Sequence, residues 1–227
     1  MVKCFNALKF EVHIHRNLNY ADIATLLDEM ASDIDHSHSD CFVMFLLSHG
    51  NAGTIYAYDA PYPTQKLWEP FTANRAPTLA GKPKLFFIQV FKIQTFYLLR
   101  LLRNSKFQAC QGNQMDAGIK LATETDSAGF ASYKVPMHAD FLISHSTVSG
   151  FYSWRNTAAG SWFIQSLVDK VEKEVTDRDI VSILTLVNKK VTQEYESQSS
   201  RREFNHKKQT PFFYSTLTMK LYWDGEK

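Results

Sequence analysis

Apolar residues fall along this chain in two kinds of run. Cys41-Phe42-Val43-Met44-Phe45-Leu46-Leu47 is unbroken by any polar residue and ends in Ser48-His49-Gly50. A segment that apolar predicts a strand buried on both faces, as in a parallel sheet covered by helices. Lys84-Leu85-Phe86-Phe87-Ile88 and His138-Ala139-Asp140-Phe141-Leu142-Ile143 predict two more. The second kind of run has helical spacing. Asn19 can cap a helix from Tyr20, with Ile23, Leu26, Leu27 and Met30 on one face. Trp162, Phe163, Leu167, Val168 and Val171 form a stripe within residues 160–175. Ile180, Ile183, Leu184, Val187 and Val191 form the next, with Thr176 and Asp179 resembling a capping box before it. A short helix near Gln65 to Phe71 sits in a loop-rich stretch with Pro61, Pro63 and Pro77. From Pro211 to Trp223, the alternation of Phe213, Leu217, Met219, Leu221 and Trp223 predicts one long closing strand. Strands alternating with helices predict an α/β layer fold. In such folds functional groups sit where strand ends meet loops. Gly118 to Pro136 has no apolar period and reads as an exposed linker open to proteolytic nicking.

Composition narrows the class. With 227 residues, 44% hydrophobic and 21% charged, the chain has the make-up of one globular domain. A net charge of +2 points to neither nucleic acid nor an anionic membrane as a partner. Three scattered cysteines, Cys4, Cys41 and Cys110, argue against a disulfide framework and for a reducing, cytoplasmic setting. Met1 to Phe10 lacks the apolar core of a secretory signal. The most apolar window, Val90 to Phe107, is broken by Lys92, Arg100, Arg103 and Lys106, so no membrane span is expected.

Candidate chemistry centres on Cys110 in Gln108-Ala109-Cys110-Gln111-Gly112. A thiol nucleophile needs a base or an electropositive setting, and donors aimed at the developing oxyanion. A lone cysteine is ordinarily a small packed apolar residue. Here the pentapeptide changes the odds, because Gln-Ala-Cys-Gln-Gly is a caspase signature with its histidine about 50 residues upstream. His49, just past a buried strand and just before Gly50, fits that place. Gly50 lets backbone approach closely and offers an unhindered N–H. His13 and His15 alternate on an expected strand, and His36 and His38 sit in an expected solvated loop. Neither pair has a matching second pair, so no zinc site is expected. Cys4 and Cys41 are expected to pack.

Nearly the whole chain, except residues 90–108, resembles caspases, most closely the short effector caspases of insects. The resemblance runs through Phe42 to Gly50, Leu79 to Gln89, Ala109 to Gly112, Phe151 to Asn156, Gly160 to Gln165 and Lys207 to Pro211. It implies a caspase-like central, mostly parallel β-sheet flanked by helices on both faces. It implies an apoptotic cysteine endopeptidase that cleaves after Asp, with no cofactor and no metal. Cys110 would attack the scissile carbonyl and His49 would protonate the leaving amine. The N–H groups of Gly50 and Cys110 would form the oxyanion hole. Arg155 matches a pocket arginine, and the glutamine before Ala-Cys, read as Gln108 or Gln89, matches the pocket glutamine. Tyr152, Trp154 and Phe204 match the aromatic wall for the next substrate residue, with Ser153 among them. Trp162 and Asn156 match the more distant subsite, where Gln198 replaces a family phenylalanine. Asp126 in Thr123-Glu124-Thr125-Asp126-Ser127 matches an activation cut. It would divide a zymogen into a large-subunit part, residues 1–126, and a small-subunit part, residues 127–227. The closing strand would be the seam of a homodimer. Protein substrates and inhibitor-of-apoptosis-type proteins are the partners the resemblance implies.

Two departures from the family pattern stand out. Met1 to Leu8 already matches the helix that follows the family's first strand, so that strand and a second pocket arginine are absent. Residues 90–108 separate Gln89 from Ala109, which adjoin in the family. The 61-residue separation of His49 and Cys110 becomes 42 without these 19 residues, near the family interval. The segment carries four cations and no acid. It begins with Val, whose codons start GT, and ends with Gln, for which CAG is a codon. These are intron boundary bases, and the segment reads as a translated intron kept in frame. Two readings follow: an Asp-directed endopeptidase, or a catalytically impaired caspase-like decoy or dimerisation partner.

Overall fold

The computed structural model describes residues 1–51, 53–91, 116–123, 131–148, 151, 153–156 and 160–223. Its strands are β1 (Phe42–Asn51), β2 (Thr54–Tyr56), β3 (Pro61–Pro63), β4 (Lys84–Phe91), β5 (Ile119–Thr123), β6 (Ala131–Val135), β7 (Phe141–His145), β8 (Arg155–Asn156), β9 (Gly160–Ser161) and β10 (Phe212–Ser215). Its helices are α1 (Val2–Ala7), α2 (Tyr20–Asp28), α3 (Trp162–Glu174) and α4 (Ile180–Glu194). The main sheet has the order β10-β7-β4-β1-β2-β3. β1, β4 and β7 run parallel, while both edges are antiparallel. The expected parallel sheet is therefore the centre of a mixed one.

Side-chain alternation along β4 divides the core in two. Leu85 and Phe87 face a cluster containing Phe5, Phe163, Leu167, Ile183 and Val187 from α1, α3 and α4. Phe86 and Ile88 face the other way, onto Leu27, Leu67, Phe71 and Leu79. Helices thus cover both faces, as expected. Ser161 caps α3 by accepting from the Ile164 amide at 3.3 Å. Asp179 caps α4 alone, accepting from the amides of Val181 and Ser182, with Ser182 Oγ donating to it at 2.6 Å. Ser182, not Thr176, completes that cap. At α2 the Asn19 side chain makes no capping bond, and Asp59 accepts from the Tyr20 amide at 2.8 Å. The helix expected near Gln65 to Phe71 is two short 3-10 turns, Thr64–Leu67 and Glu69–Phe71.

Several segments differ from expectation for identifiable reasons. β1 runs on through His49 to Asn51, because its ladder with β4 extends to His49 opposite Phe91. β1 is also half-buried rather than buried. The Phe42 amide donates to the Pro83 carbonyl at 2.9 Å, so alternation turns the backbone groups of Val43, Phe45 and Leu47 to the other edge. Among the described residues β2 pairs that edge only at Gly50 and Asn51, and Leu47 is 50% exposed. The strand expected at His13 and His15 does not form; Phe10 and Val12 pack on the core without a ladder partner. His36 is buried rather than solvated, with Nε2 bonded to the Met30 carbonyl at 2.6 Å. The third apolar run enters the sheet only at Phe141. The closing strand is short because Asp140, at φ 63°, gathers the chain after Ser215. Its Oδ1 accepts from Thr218 N and Oγ1 at 3.0 and 2.7 Å, and its amide donates to the Thr216 carbonyl. Leu217, Leu221 and Trp223 then pack on the core as irregular chain. The expected linker at 118–136 contains the β5–β6 hairpin. Asp116 closes it at both ends, accepting from the amides of Gly118 and Met137, each at 2.8 Å.

Lys84 lies fully buried at the start of β4. Its Nζ donates to the carbonyls of Lys82 and Leu79 at 2.8 and 3.2 Å and stands 4.9 Å from the Phe141 ring centroid. Burial pushes its pKa down to about 8, with Asp140 opposing. Below pH 8 the amine is charged in both folded and unfolded chains, and the burial penalty is fully present. Between pH 8 and its ordinary 10.5 only the unfolded chain holds the proton, so this group's contribution to stability rises with pH. Over that window the gain is on the order of 3 kcal/mol. Urea unfolding at pH 7.5 and pH 10 should therefore show the native chain gaining on Lys84→Met as pH rises. A constant difference between the two would refute the buried-amine account.

Candidate functional site

The carboxyl ends of β1, β4 and β7 lie on one side of the sheet, where open α/β folds hold their ligands. His49 stands there, exposed, on β1. Its Nδ1 is 3.3 Å from the Phe91 carbonyl oxygen, and its ring centroid is 6.3 Å from that of Phe91. When Nδ1 carries the proton it donates to that carbonyl and leaves Nε2 as an acceptor. Gly50, next in the strand, is buried. A Cβ there would meet the Thr54 carbonyl oxygen at 2.4 Å and Val90 Cγ1 at 2.8 Å. The close approach that Gly50 permits is therefore that of β2 and of β4.

Gln89, at the end of β4, is fully buried. Its Nε2 donates to Ser153 Oγ at 2.5 Å, and its Oε1 accepts from Ser161 Oγ. Ser161 pairs in turn with Arg155 in the β8–β9 ladder. Gln89 thus ties the sheet to the Ser153 loop and to the strand that carries Arg155 and Asn156. A second buried amide does the same from the other side. Gln209 accepts from the Trp154 amide at 2.7 Å and donates to the Ser146 carbonyl at 2.6 Å. The residue pattern alone assigned no role to Gln209 or Ser161, because neither breaks an apolar period.

Between these clamps stands an aromatic wall. The Trp154 ring lies 6.1 Å from Trp162, near parallel, and 6.3 Å from Phe204, edge on. Trp162 continues to Tyr195 at 5.2 Å. The Trp162 amide donates to the Trp154 carbonyl at 3.3 Å, locking the two together. Ser153, Trp154, Trp162 and Phe204 are therefore brought into one cluster beside Gln89. The side chains of Arg155 and Asn156, and residues Gln108, Cys110, Tyr152 and Asp126, lie outside the described residues.

Cys4 is buried and Cys41 half-buried. Burial pushes Cys41 up to about 11 and raises Cys4 as well, and a thiol so raised stays protonated at neutral pH. Among the described residues no group of three His, Cys, Asp or Glu could hold a metal ion. No helix among them is long and apolar enough to cross a membrane.

A six-stranded sheet with a parallel centre and helices on both faces defines an α/β protein. The caspase domain family model matches residues 1–222, and the chain belongs to the caspase family of cysteine endopeptidases. It is 42% identical over 221 residues to caspase-1 of Spodoptera frugiperda, covering 96% of this chain and 67% of that relative. It is also 42% identical over 222 residues to caspase drICE of Drosophila melanogaster, covering 96% and 60%. Caspase-3 of Mus musculus is 39% identical over 219 residues, at 96% and 72% coverage. The crystal structure of the Spodoptera caspase-1 superposes with a TM-score of 0.78 at 39% identity, covering 98% of this chain and 77% of that one. The chain thus spans about 60% to two thirds of the first two relatives' length.

The Gln209 clamp can be tested directly. Gln209→Ala leaves a buried amide N–H and a buried carbonyl unpaired, which costs about 1–3 kcal/mol. The denaturant midpoint should fall accordingly, and a midpoint unchanged within error would show that the clamp does not hold the cluster.

Proposed function

We propose that this chain is a cytoplasmic, Asp-directed cysteine endopeptidase of apoptotic proteolysis. Cys110 is the nucleophile and His49 its acid/base partner. The N–H groups of Gly50 and Cys110 receive the oxyanion, and Arg155 grips the substrate aspartate bidentately with help from the pocket glutamine. The protein is made as a zymogen and cut after Asp126 into residues 1–126 and 127–227. It dimerises along the free edge of β10, where Tyr214 is 42% exposed, and it answers to inhibitor-of-apoptosis-type proteins. The arginine's neighbourhood supports this pocket: Arg155 pairs with Ser161, and Ser161 bonds to Gln89.

One observation carries the catalytic assignment. In the β1–β4 ladder, His49 stands opposite Phe91. Without residues 90–108, Ala109 would follow Gln89 directly, and Cys110 would take the ladder position of Phe91. A side chain there projects on the same face as His49 from a strand about 4.8 Å away. Of the two candidate pocket glutamines, Gln89 is then the one adjoining Ala-Cys. This register supports reading 90–108 as a segment absent from the active form, and Phe91 as the occupant of the nucleophile's place in the longer one.

Hydrolysis of an aspartate-terminated fluorogenic peptide tests the proposal. The form lacking 90–108 should turn it over at least about 100-fold faster than the full chain, the scale set by misplacing a nucleophile by about 1 Å. Cys110→Ala in the shortened form should abolish turnover. Activity surviving that substitution would sink the assignment.

A further inference from the structure

On the face of the sheet that carries the second core cluster, α2 and the segment from Tyr62 to Arg75 leave a cavity of about 170 Å³ between them. Ile23 and Leu27 of α2 form one wall, with Tyr62 of β3 and Pro70 across from them. The two sides are tied together at each end. The Tyr20 amide donates to Asp59 Oδ1 at 2.8 Å, and the Tyr58 amide donates to the Leu18 carbonyl at 2.9 Å. At the far end of α2, Arg75 Nη2 donates to Asp28 Oδ1 at 2.7 Å. The fold itself therefore holds the cavity open, and ligand pockets are usually preformed in this way.

One polar group of this lining is left over. Tyr62 is 2% exposed, and its hydroxyl is buried with no hydrogen-bond partner among the described residues. The Tyr20 ring stands over it, with centroids 5.2 Å apart. Burial pushes the Tyr62 phenol up to about 12, and Tyr20 acts in the same direction, so at neutral pH the group keeps its proton and offers a donor. A buried donor left unmade is costly. A lone water answers it poorly, because a buried water is held by about two to four polar partners, and the side chains of Ile23, Leu27 and Pro70 offer none. The charges around the cavity, by contrast, answer one another. Lys66 meets Glu69 at 2.8 Å, as Arg75 meets Asp28, so these four lining residues carry no net charge.

We propose that this cavity is a binding site for a neutral molecule the size of a single aromatic ring, carrying one hydrogen-bond acceptor that takes the Tyr62 hydroxyl. The volume suits one ring, since an apolar cavity of about 150 Å³ takes up benzene. The ring packs against Ile23, Leu27 and Pro70, and its carbonyl or ether oxygen gives the phenol the partner that the fold withholds. A charged ligand fits less well, because it would lose its hydration and meet two ion pairs already made. The inference does not depend on the peptidase reading, yet the site lies close to the catalytic edge. Tyr62 stands opposite Ile55 in the β3–β2 ladder, and Ile55 stands opposite Gly50 in the β2–β1 ladder. An occupant bonded to Tyr62 is therefore on the row of strand residues that ends beside His49.

The test is a proton–nitrogen NMR titration of the full chain with acetophenone, ethylbenzene and benzoate. Ligands of this size bind in about the millimolar range. Acetophenone should shift the amides of Tyr62, Ile55 and Leu27, and bind about three- to ten-fold tighter than ethylbenzene, the worth of one hydrogen bond. Benzoate should bind more weakly than acetophenone. In Tyr62→Phe, acetophenone and ethylbenzene should bind alike. Ala24→Leu places a larger side chain in the cavity from half-buried Ala24 on α2, keeps a good helix former there, and should abolish the shifts caused by both. Circular dichroism checks that each variant is folded, and Ala24→Leu carries the test if Tyr62→Phe is not. Four results would each overturn the inference. They are no localised shift up to about 10 mM acetophenone, equal binding of acetophenone and ethylbenzene by the native chain, localised shifts that survive Ala24→Leu, and tighter binding of benzoate. An acetophenone preference that persists in Tyr62→Phe would do the same.

Discussion

Everything at the site depends on the parallel register of β1 against β4. Eight residue pairs, from Phe42 opposite Lys84 to His49 opposite Phe91, bring two strands from distant parts of the chain to a common end. Register in a sheet buried on both faces is strongly specified, because a slip of one residue would send Phe86 and Phe87 each to the wrong core cluster. The aromatic pairs across the ladder enforce it: half-buried Phe45 stacks on Phe87 at 4.8 Å, and half-buried Phe42 lies 6.0 Å from Phe86. Core packing thus sets the alignment of His49, although His49 itself is exposed and contributes little to the fold.

The second constraint is how the cluster at the site is fastened to that sheet. Its wall takes Trp154 from a loop, Phe204 from a 3-10 turn and Trp162 from the start of α3, and among the described residues no strand ladder joins these to the main sheet. Gln89 and Gln209 substitute for one. Each is buried, each uses both ends of its amide, and together they hold Ser153 and Trp154 from opposite sides. A buried amide with both ends satisfied is rigid, and with one end unsatisfied it is costly. That asymmetry makes the cluster's shape part of the fold.

What could be read from residue order follows the same logic. The three central strands were legible because burial on both faces leaves continuous apolar runs, and α3 and α4 because their stripes face one cluster. The closing strand was misread because alternation alone cannot reveal that Asp140, far away in the chain, draws Thr216 and Thr218 out of the ladder. The β5–β6 hairpin was missed because Ile119, Leu121, Tyr133 and Val135 alternate with too few apolar neighbours to stand out. At the site, His49 and the wall aromatics were legible through family resemblance. Gln209 and Ser161 were not, since their roles consist of hydrogen bonds to backbone and to another polar side chain. The limits of β1 were misjudged because Ser48 and His49 read as polar punctuation, while the ladder continues regardless of side chain.

The register also decides what residues 90–108 cost. Closing a loop of 19 residues is not the obstacle: its entropy is only about 3 kcal/mol, and it grows slowly with length. Long insertions in surface loops are well tolerated thermodynamically. The obstacle is that a parallel ladder has one place directly across from His49, and Phe91 fills it, with its carbonyl 3.3 Å from His49 Nδ1. For Cys110 to meet His49 in the full chain, it would have to approach from outside the ladder, over the Phe91 ring. Alternatively, the last two residues of β4 would have to unpair, and Val90 would leave the second core cluster. Either route asks for more than loop closure does. On the proposed reading, residues 90–108 therefore act through the position they occupy rather than through the length they add.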